Sequence, residues 1–370
     1  MKNILFGITS LTLGGAERVL VDLANELSKN YEVTIWTLYG NGELEKQLND
    51  NVKFKSYIKN SYNEISKIKR ILMVLKTLLF RKNIYKKKIK SDYDVEVAFL
   101  EGPITRLLST ENKKTKKIAW IHNDISKVFG TGVKSKLKKK LDEKIYTKYE
   151  KIVFVSNDNL KEFEKIYPDI KNKKQVIYNY LDSSLILKKS EEKVEKFEED
   201  MTNFVTVARL VEQKGIDRLI KVHSKLIKKG LKHNFYVIGD GPEKQRLEKI
   251  IKENNVEKTF KLYGKKENPY PYIKQSDYFC LFSYYEGYGM VLDEAKILNK
   301  KILITDTAAR EAVKNYPKAK IISNSEQEIY EILEEILNGK DKEDKKSEED
   351  IEMYYENKKI LEQIKQLIEG

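Results

Sequence analysis

Cysteine, histidine and long apolar runs are scarce in this 370-residue chain, and each scarcity closes off a class of protein. A single cysteine, Cys280, excludes an intramolecular disulfide and fits a reducing compartment. It lies in the apolar run Tyr278-Phe279-Cys280-Leu281-Phe282, the setting of a buried strand thiol rather than a nucleophile. No apolar stretch reaches the ~18 residues that a membrane-spanning helix requires. The opening residues, Met1 to Ile8, superficially resemble a signal peptide. No small-residue cleavage site follows, however, so a first buried strand is the better reading. Repeats at solenoid periods are missing. The pair Gly14-Gly15 lacks the G-x-G-x-x-G spacing, so no dinucleotide cofactor is implied. Among three histidines and the scattered carboxylates there is no cluster at metal-ligand spacing, and Asp92-Tyr93-Asp94, although it looks like a metal-binding pair, reads as a strand cap.

With 40% hydrophobic and 35% charged residues over this length, the chain is a soluble globular protein of two or three domains. Its net charge of +14 is one-sided. Residues 1–185 hold 36 Lys and Arg against 22 Asp and Glu, whereas residues 186–370 hold 35 against 35. A one-sided excess points to a surface that faces something anionic. No base-reading module accompanies it, which argues against nucleic acid. Residues 64–80 offer a better candidate: Ile65, Ile68, Ile71, Leu72, Leu75, Leu78 and Leu79 recur at helical spacing beside Lys67, Lys69, Arg70 and Lys76. Arg81-Lys82 and the basic clusters at 86–90, 113–117 and 134–140 add to it. The expectation is a helix whose apolar face packs on the core and whose basic rim docks on an anionic membrane surface.

Apolar runs at 4–8, 33–38, 95–99, 118–121 and 152–155 alternate with helical patterns, and those at 204–208, 235–238, 278–282 and 302–305 repeat the scheme. Such alternation predicts an α/β fold of two doubly wound parallel-sheet domains. The boundaries fall at 1–185, 186–345 and a final segment 346–370. The charged run 190–201 reads as a surface helix or linker, and a second charged run, 340–349, precedes a last helix over 351–368.

Chemistry concentrates after the strands. Glu286-Gly287-Tyr288-Gly289-Met290 leads through Val291, Leu292 and Asp293 to Glu294, so two carboxylates flank a glycine-rich turn and the start of a helix. Glycines let backbone approach a ligand, and helix-start N–H groups seat phosphate. Acceptor-only carboxylates on either side suit a ligand with hydroxyls at both ends of a diphosphate, which describes a nucleotide sugar. Arg209 follows the run 204–208 and Lys214 comes five residues later, cations at a strand's carboxyl end where doubly wound sheets bind ligands. Gly239-Asp240-Gly241-Pro242 reads as a nucleotide-facing turn, and Gly14-Gly15 opens a helix, a place for phosphate or acceptor or equally a plain strand-to-helix turn. His122 ends the run Ile118-Ala119-Trp120-Ile121. Glu101-Gly102-Pro103, after residues 95–99, is an acceptor-side loop by position alone.

Taken in order, Gly14-Gly15-Ala16-Glu17-Arg18, Trp120-Ile-His122-Asn, Val155-Ser156 ahead of Tyr178-Asn179, Ala208-Arg209-Leu210 with Lys214-Gly215, Val237 to Pro242, and Glu286-x7-Glu294 resemble the retaining glycosyltransferases of family 4 over roughly the whole chain. The resemblance implies a GT-B fold, two Rossmann-like domains facing across a cleft, with the last helix crossing back onto the N-terminal domain. It implies that Arg209 and Lys214 bind the donor diphosphate, and that Glu294 accepts hydrogen bonds from the ribose. Glu286 is expected to meet a hydroxyl of the donor sugar, and Gly287 to Met290 to offer N–H groups. His122 would contact the donor sugar or stabilise charge near its anomeric carbon. The implied catalytic set is Glu286, Arg209, Lys214 and His122, without metal or cofactor. The implied function is transfer from a UDP-linked sugar to a glycan or lipid-linked acceptor in bacterial surface polysaccharide synthesis, in the cytoplasm at the inner membrane face. The rivals are an NDP-sugar epimerase on a related scaffold, a basic nucleic-acid-binding protein, and a catalytically silent partner subunit.

Overall fold

The computed structural model describes residues 1–89, 92–110, 112, 114–122, 133–339 and 357–370, with backbone alone for 133–137. Lys90, Lys113, the side chains of residues 134–137 in the basic cluster, Asn123, the charged run 340–349 and the first residues of the last helix, 351–356, lie outside that description. The chain divides into two compact units, Met1–Leu181 with Lys358–Gly370, and Asp182–Asn357.

In the first unit, β1 (Asn3–Ile8), β2 (Glu32–Tyr39), β3 (Val52–Ile58), β4 (Val95–Ala98), β5 (Lys116–Ile121), β6 (Lys151–Phe154) and β7 (Lys173–Val176) form one parallel sheet. Its order is β3-β2-β1-β4-β5-β6-β7. Parallel neighbours need crossovers, and helices such as Gly15–Leu27 supply them while covering the sheet. Central strands are therefore buried on both faces, which is why they read as unbroken apolar runs. Chain order reverses between β1 and β4, the point at whose carboxyl side doubly wound sheets bind ligands. At the opposite edge, the Asp94 carboxylate accepts from the Asn3 N–H at 2.8 Å and so caps the sheet. The final helix, Asn357–Glu369, belongs to this unit from Lys358 onward. Lys2 donates to the carbonyls of Ile368 (3.1 Å) and Glu369 (2.9 Å), and Lys116 to that of Leu367 (2.7 Å), cations placed at the helix's negative end.

The second unit repeats the plan. Strands β8 (Thr202–Val207), β9 (His233–Ile238), β10 (Phe260–Gly264), β11 (Tyr278–Leu281), β12 (Lys301–Thr305) and β13 (Ala319–Ile322) are ordered β10-β9-β8-β11-β12-β13, all parallel. Here the reversal lies between β8 and β11. Cys280 is fully buried in β11, and burial pushes its thiol well up, so it stays protonated.

One expectation narrows and one needs correction. The charged run 190–201, read as a surface helix or linker, is not a helix beyond Ser190, where the helix Ser183–Ser190 ends. Residues 193–198 run without regular structure, tied down by Phe197, whose ring stacks on Tyr236 at 3.7 Å. The basic amphipathic helix exists as Lys67–Leu79, started by the Ser66 hydroxyl, but its apolar stripe does not pack on the core. Met73 and Thr77 are its buried residues, while Ile68, Ile71, Leu72, Leu75 and Leu79 face solvent. Among the described residues no helix is long and apolar enough to cross a membrane.

Candidate active site

In the second unit the candidate residues gather where the sheet reverses. Arg209 leaves the end of β8 and is exposed, and Lys214 closes the same loop. Gly215 follows at φ +61°, a left-handed turn that starts the helix Ile216–Lys228, and a side chain there would press on the Phe282 carbonyl at 2.7 Å. Across the reversal, the loop after β11 carries Glu286, whose side chain is only 8% exposed. Lys214 pairs directly with the Glu286 carboxylate, and Ser283 donates its hydroxyl to the same oxygen at 2.8 Å. That carboxylate is therefore fixed in direction and largely dry, a setting in which charge acts strongly.

Surrounding bonds stitch the two loops together. Gln213 accepts from the Tyr284 N–H and donates to the Tyr285 carbonyl, each at 2.8 Å. Arg218 donates to the Phe282 carbonyl and to the Asn324 side chain, each at 2.7 Å, and lies over the Tyr284 ring at 4.2 Å. Asn324 donates onward to the Tyr284 carbonyl at 2.7 Å. Beside them, Gly239 (φ +151°) and Gly241 ride against the β8 loop: a Cβ on Gly239 would overlap the Ala208 carbonyl, and one on Gly241 the Leu210 carbonyl. Both glycines are thus required by backbone packing next to Arg209. Pro242 precedes the next helix, Lys244–Glu253, rather than sitting in its first turn.

From Glu286 the chain passes through Gly287, where a Cβ would meet open space, and the buried Tyr288 to Gly289 at φ +72°. Met290 then begins the seven-residue helix Val291–Ile297. Glu294 is its fourth residue, buried, with the Tyr270 hydroxyl 3.4 Å from its carboxylate. Asp293 on the inner side pairs with Lys296 at 2.6 Å, and burial raises its carboxyl against that pairing.

His122, Gly14 and Gly15 belong to the first unit. Gly14 caps the helix Gly15–Leu27, and the Glu17 carboxylate folds back over it so closely that a Cβ would strike it. Glu101, in the turn after β4, accepts from the His122 N–H at 3.2 Å. Burial raises the Glu17 carboxyl, and the Glu101 charge adds to the effect. The His122 ring packs against Phe99 with centroids 4.6 Å apart, and burial lowers its pKa to about 3. Its imidazole is therefore neutral near pH 7, so it serves as a hydrogen-bonding group and not as a fixed cation. The Nε2 atom is buried without a hydrogen-bond partner among the described residues, an orphan that a ligand hydroxyl would satisfy.

The structure brings Arg209, Lys214, Glu286, Gly239 and Gly241, each singled out in the sequence, to the carboxyl end of one sheet. Sequence reasoning missed Arg218 and Asn324, which hold the Glu286 loop, gave no role to Ser283, and named Glu17 only as part of a motif. Arg218 carried one usable signal, a cation one helical turn beyond Lys214. Asn324, two residues beyond β13, carried none.

Residues 13–185 match the family model described as Glycosyltransferase Family 4, and residues 188–353 that of Glycosyl transferases group 1. The chain is 27% identical over 330 residues to an N-acetylgalactosaminyltransferase of Campylobacter jejuni that acts on a diacetylbacillosaminyl-diphospho-undecaprenol glycan, covering 84% of this chain and 83% of that protein. It is 26% identical over 329 residues to the capsular polysaccharide biosynthesis glycosyltransferase CapH of Staphylococcus aureus, covering 86% and 85%. In fold it resembles Anabaena HepE, solved with UDP and glucose, at a TM-score of 0.74 and 15% identity over 100% of both chains. Matched along nearly its whole length and built on two Rossmann-like parallel sheets, the chain belongs to the family 4 glycosyltransferases and has their GT-B fold.

Proposed function

We propose that this glycosyltransferase moves a sugar from a UDP-linked donor to a glycan or lipid-linked acceptor of a bacterial surface polysaccharide, with retention at the anomeric carbon. It works without metal, on the inner face of the cytoplasmic membrane. The undecaprenol-linked acceptor of the Campylobacter relative, the capsular role of CapH, and the UDP and glucose bound by HepE support that substrate class.

Charge on the departing nucleotide is the main barrier, and Arg209 and Lys214 meet it: a guanidinium grips two phosphate oxygens, an ammonium adds a point charge. Glu294 accepts hydrogen bonds from the ribose and Glu286 from a hydroxyl of the transferred sugar, while Gly287 to Met290 and the Gly239-Asp240-Gly241 turn face the phosphates. Gly14, Gly15 and His122 serve the sugar and acceptor side. In the chemical step the bond from the anomeric carbon to the phosphate oxygen breaks, and the acceptor oxygen bonds to that carbon on the same face. The acceptor's proton passes to the departing phosphate, so no side-chain nucleophile is needed.

The observation that carries this reading is the Lys214–Glu286–Ser283 arrangement at the reversal between β8 and β11. Arg209→Ala and Glu286→Ala, assayed for turnover of a panel of labelled nucleotide sugars, should each lose about 100-fold or more in rate. Intact turnover in both variants defeats the proposal.

A further inference from the structure

Hydrophobic residues that face water in isolation need no explanation, but one segment concentrates them. Six of the eleven exposed large apolar side chains among the described residues belong to the helix Lys67–Leu79 and the residue after it. Ile68 and Leu79 are each 71% exposed, Leu72 58%, Phe80 54%, Ile71 53% and Leu75 47%. Positions 68, 71, 72, 75 and 79 recur at intervals of three and four, so they form a single stripe along one face. The helix is held to its unit by Met73 and Thr77. A stripe of this kind on a soluble surface marks an interaction site.

The charge around it decides what the partner is. Between residues 65 and 91 the chain holds ten Lys and Arg and no Asp or Glu. Arg70 lies over the Tyr62 ring at 4.3 Å and Lys76 near the Tyr57 ring at 5.4 Å, which ties these two to the protein. Lys67, Lys69, Lys82, Lys86, Lys87 and Lys88 are exposed. A second copy of the chain would set like charge against like around the stripe. A surface of anionic lipid supplies both an apolar layer and a phosphate layer.

We propose that Lys67–Leu79 is an interfacial helix that lies in the plane of an anionic phospholipid leaflet. Ile68, Ile71, Leu72, Leu75 and Leu79 enter the acyl boundary, and the exposed lysines meet headgroup phosphates. The inference rests on the membrane-side part of the function proposed above and names the element that performs it.

The test uses the full-length protein and sedimentation with phosphatidylglycerol-containing or pure phosphatidylcholine vesicles. Wild type should pellet with the former and only weakly with the latter. Leu72→Gln combined with Leu75→Gln should weaken binding by about 100-fold, because two half-exposed leucines no longer reach the apolar layer. The thermal midpoint should not fall, since neither side chain is buried. Neutralising Lys67 and Lys69 should cost about fivefold each. Leu75→Trp should show a blue-shifted emission with anionic vesicles. Undiminished binding by the double glutamine variant, or an unshifted tryptophan, overturns the helix assignment and leaves the membrane reading standing. Failure of wild type to bind any vesicle overturns both. A dimer that the glutamine pair dissociates, with vesicle binding unchanged, assigns the stripe to a second copy and also overturns the inference.

Discussion

The Lys214–Glu286 pair offers a quantitative handle on the site. Its side chains are 18% and 8% exposed, so it lies between a surface ion pair and a buried one. Surface pairs are worth about 0–1 kcal/mol, whereas removing one partner of a buried pair costs about 3–5 kcal/mol. Ser283 remains to satisfy part of the Glu286 carboxylate if the lysine is lost, and Lys214 is more open to water if the glutamate is lost. A coupling of about 2 kcal/mol follows from this intermediate position. The measurement is a double-mutant cycle of Lys214→Met, Glu286→Gln and the double variant, by denaturant unfolding without ligand. In a transition of this size each single variant should lower the thermal midpoint by about 4–8 °C. UDP binding should then split the pair. Lys214→Met should lose about tenfold or more in UDP affinity, while Glu286→Gln, which removes a negative charge near the proposed diphosphate seat, should bind UDP at least as tightly as wild type and still turn over poorly. A coupling below about 0.5 kcal/mol, or equal loss of UDP affinity in both variants, rules out these roles for the pair.

Other consequences can be checked singly. Gly239→Ala sets a Cβ against the Ala208 carbonyl at φ +151° and should destabilise the second unit by about 3 kcal/mol or more, read by denaturant unfolding. Arg218→Ala removes the bonds to Phe282 and Asn324 that hold the Glu286 loop, and should lower kcat by about tenfold or more with a smaller change in UDP affinity. The buried pair His223 and His233, rings 4.4 Å apart, has its pKa values lowered by burial, that of His223 to about 2. Their neutral forms stabilise the fold above the ordinary value of 6.5, and this contribution is lost as pH falls from there towards the folded-state values. Thermal midpoints should therefore hold above about pH 7 and fall below 6.5, with a shallower fall in His223→Phe.

The parts of the fold legible in the sequence were those buried on both sides. Strands β1, β2, β4, β5, β6, β8, β9, β11 and β12 stood out as apolar runs because helices cover both faces of their sheets. The four unread strands, β3, β7, β10 and β13, are the four sheet edges. Lys173-Lys174-Gln175-Val176 in β7 and Ala319-Lys320-Ile321-Ile322 in β13 carry charge or polarity because an edge borders solvent. The same logic limits the site. Glycine spacing and strand-end cations announced Glu286, Arg209 and Lys214, whereas Asn324 reaches the Glu286 loop only through the folded sheet, from 38 residues beyond Glu286 in sequence. Helical periodicity located Lys67–Leu79 but could not say which way its stripe faces, since an apolar face predicts a contact without naming the core as the partner.

The proposed grip of the second sheet's carboxyl edge on a nucleoside diphosphate is open to experiment. A crystal structure of the protein with UDP tests it most directly. Phosphate oxygens should lie within hydrogen-bonding distance of the Arg209 and Lys214 side chains, and ribose hydroxyls on Glu294. UDP held elsewhere, with Arg209 and Lys214 untouched, would contradict it.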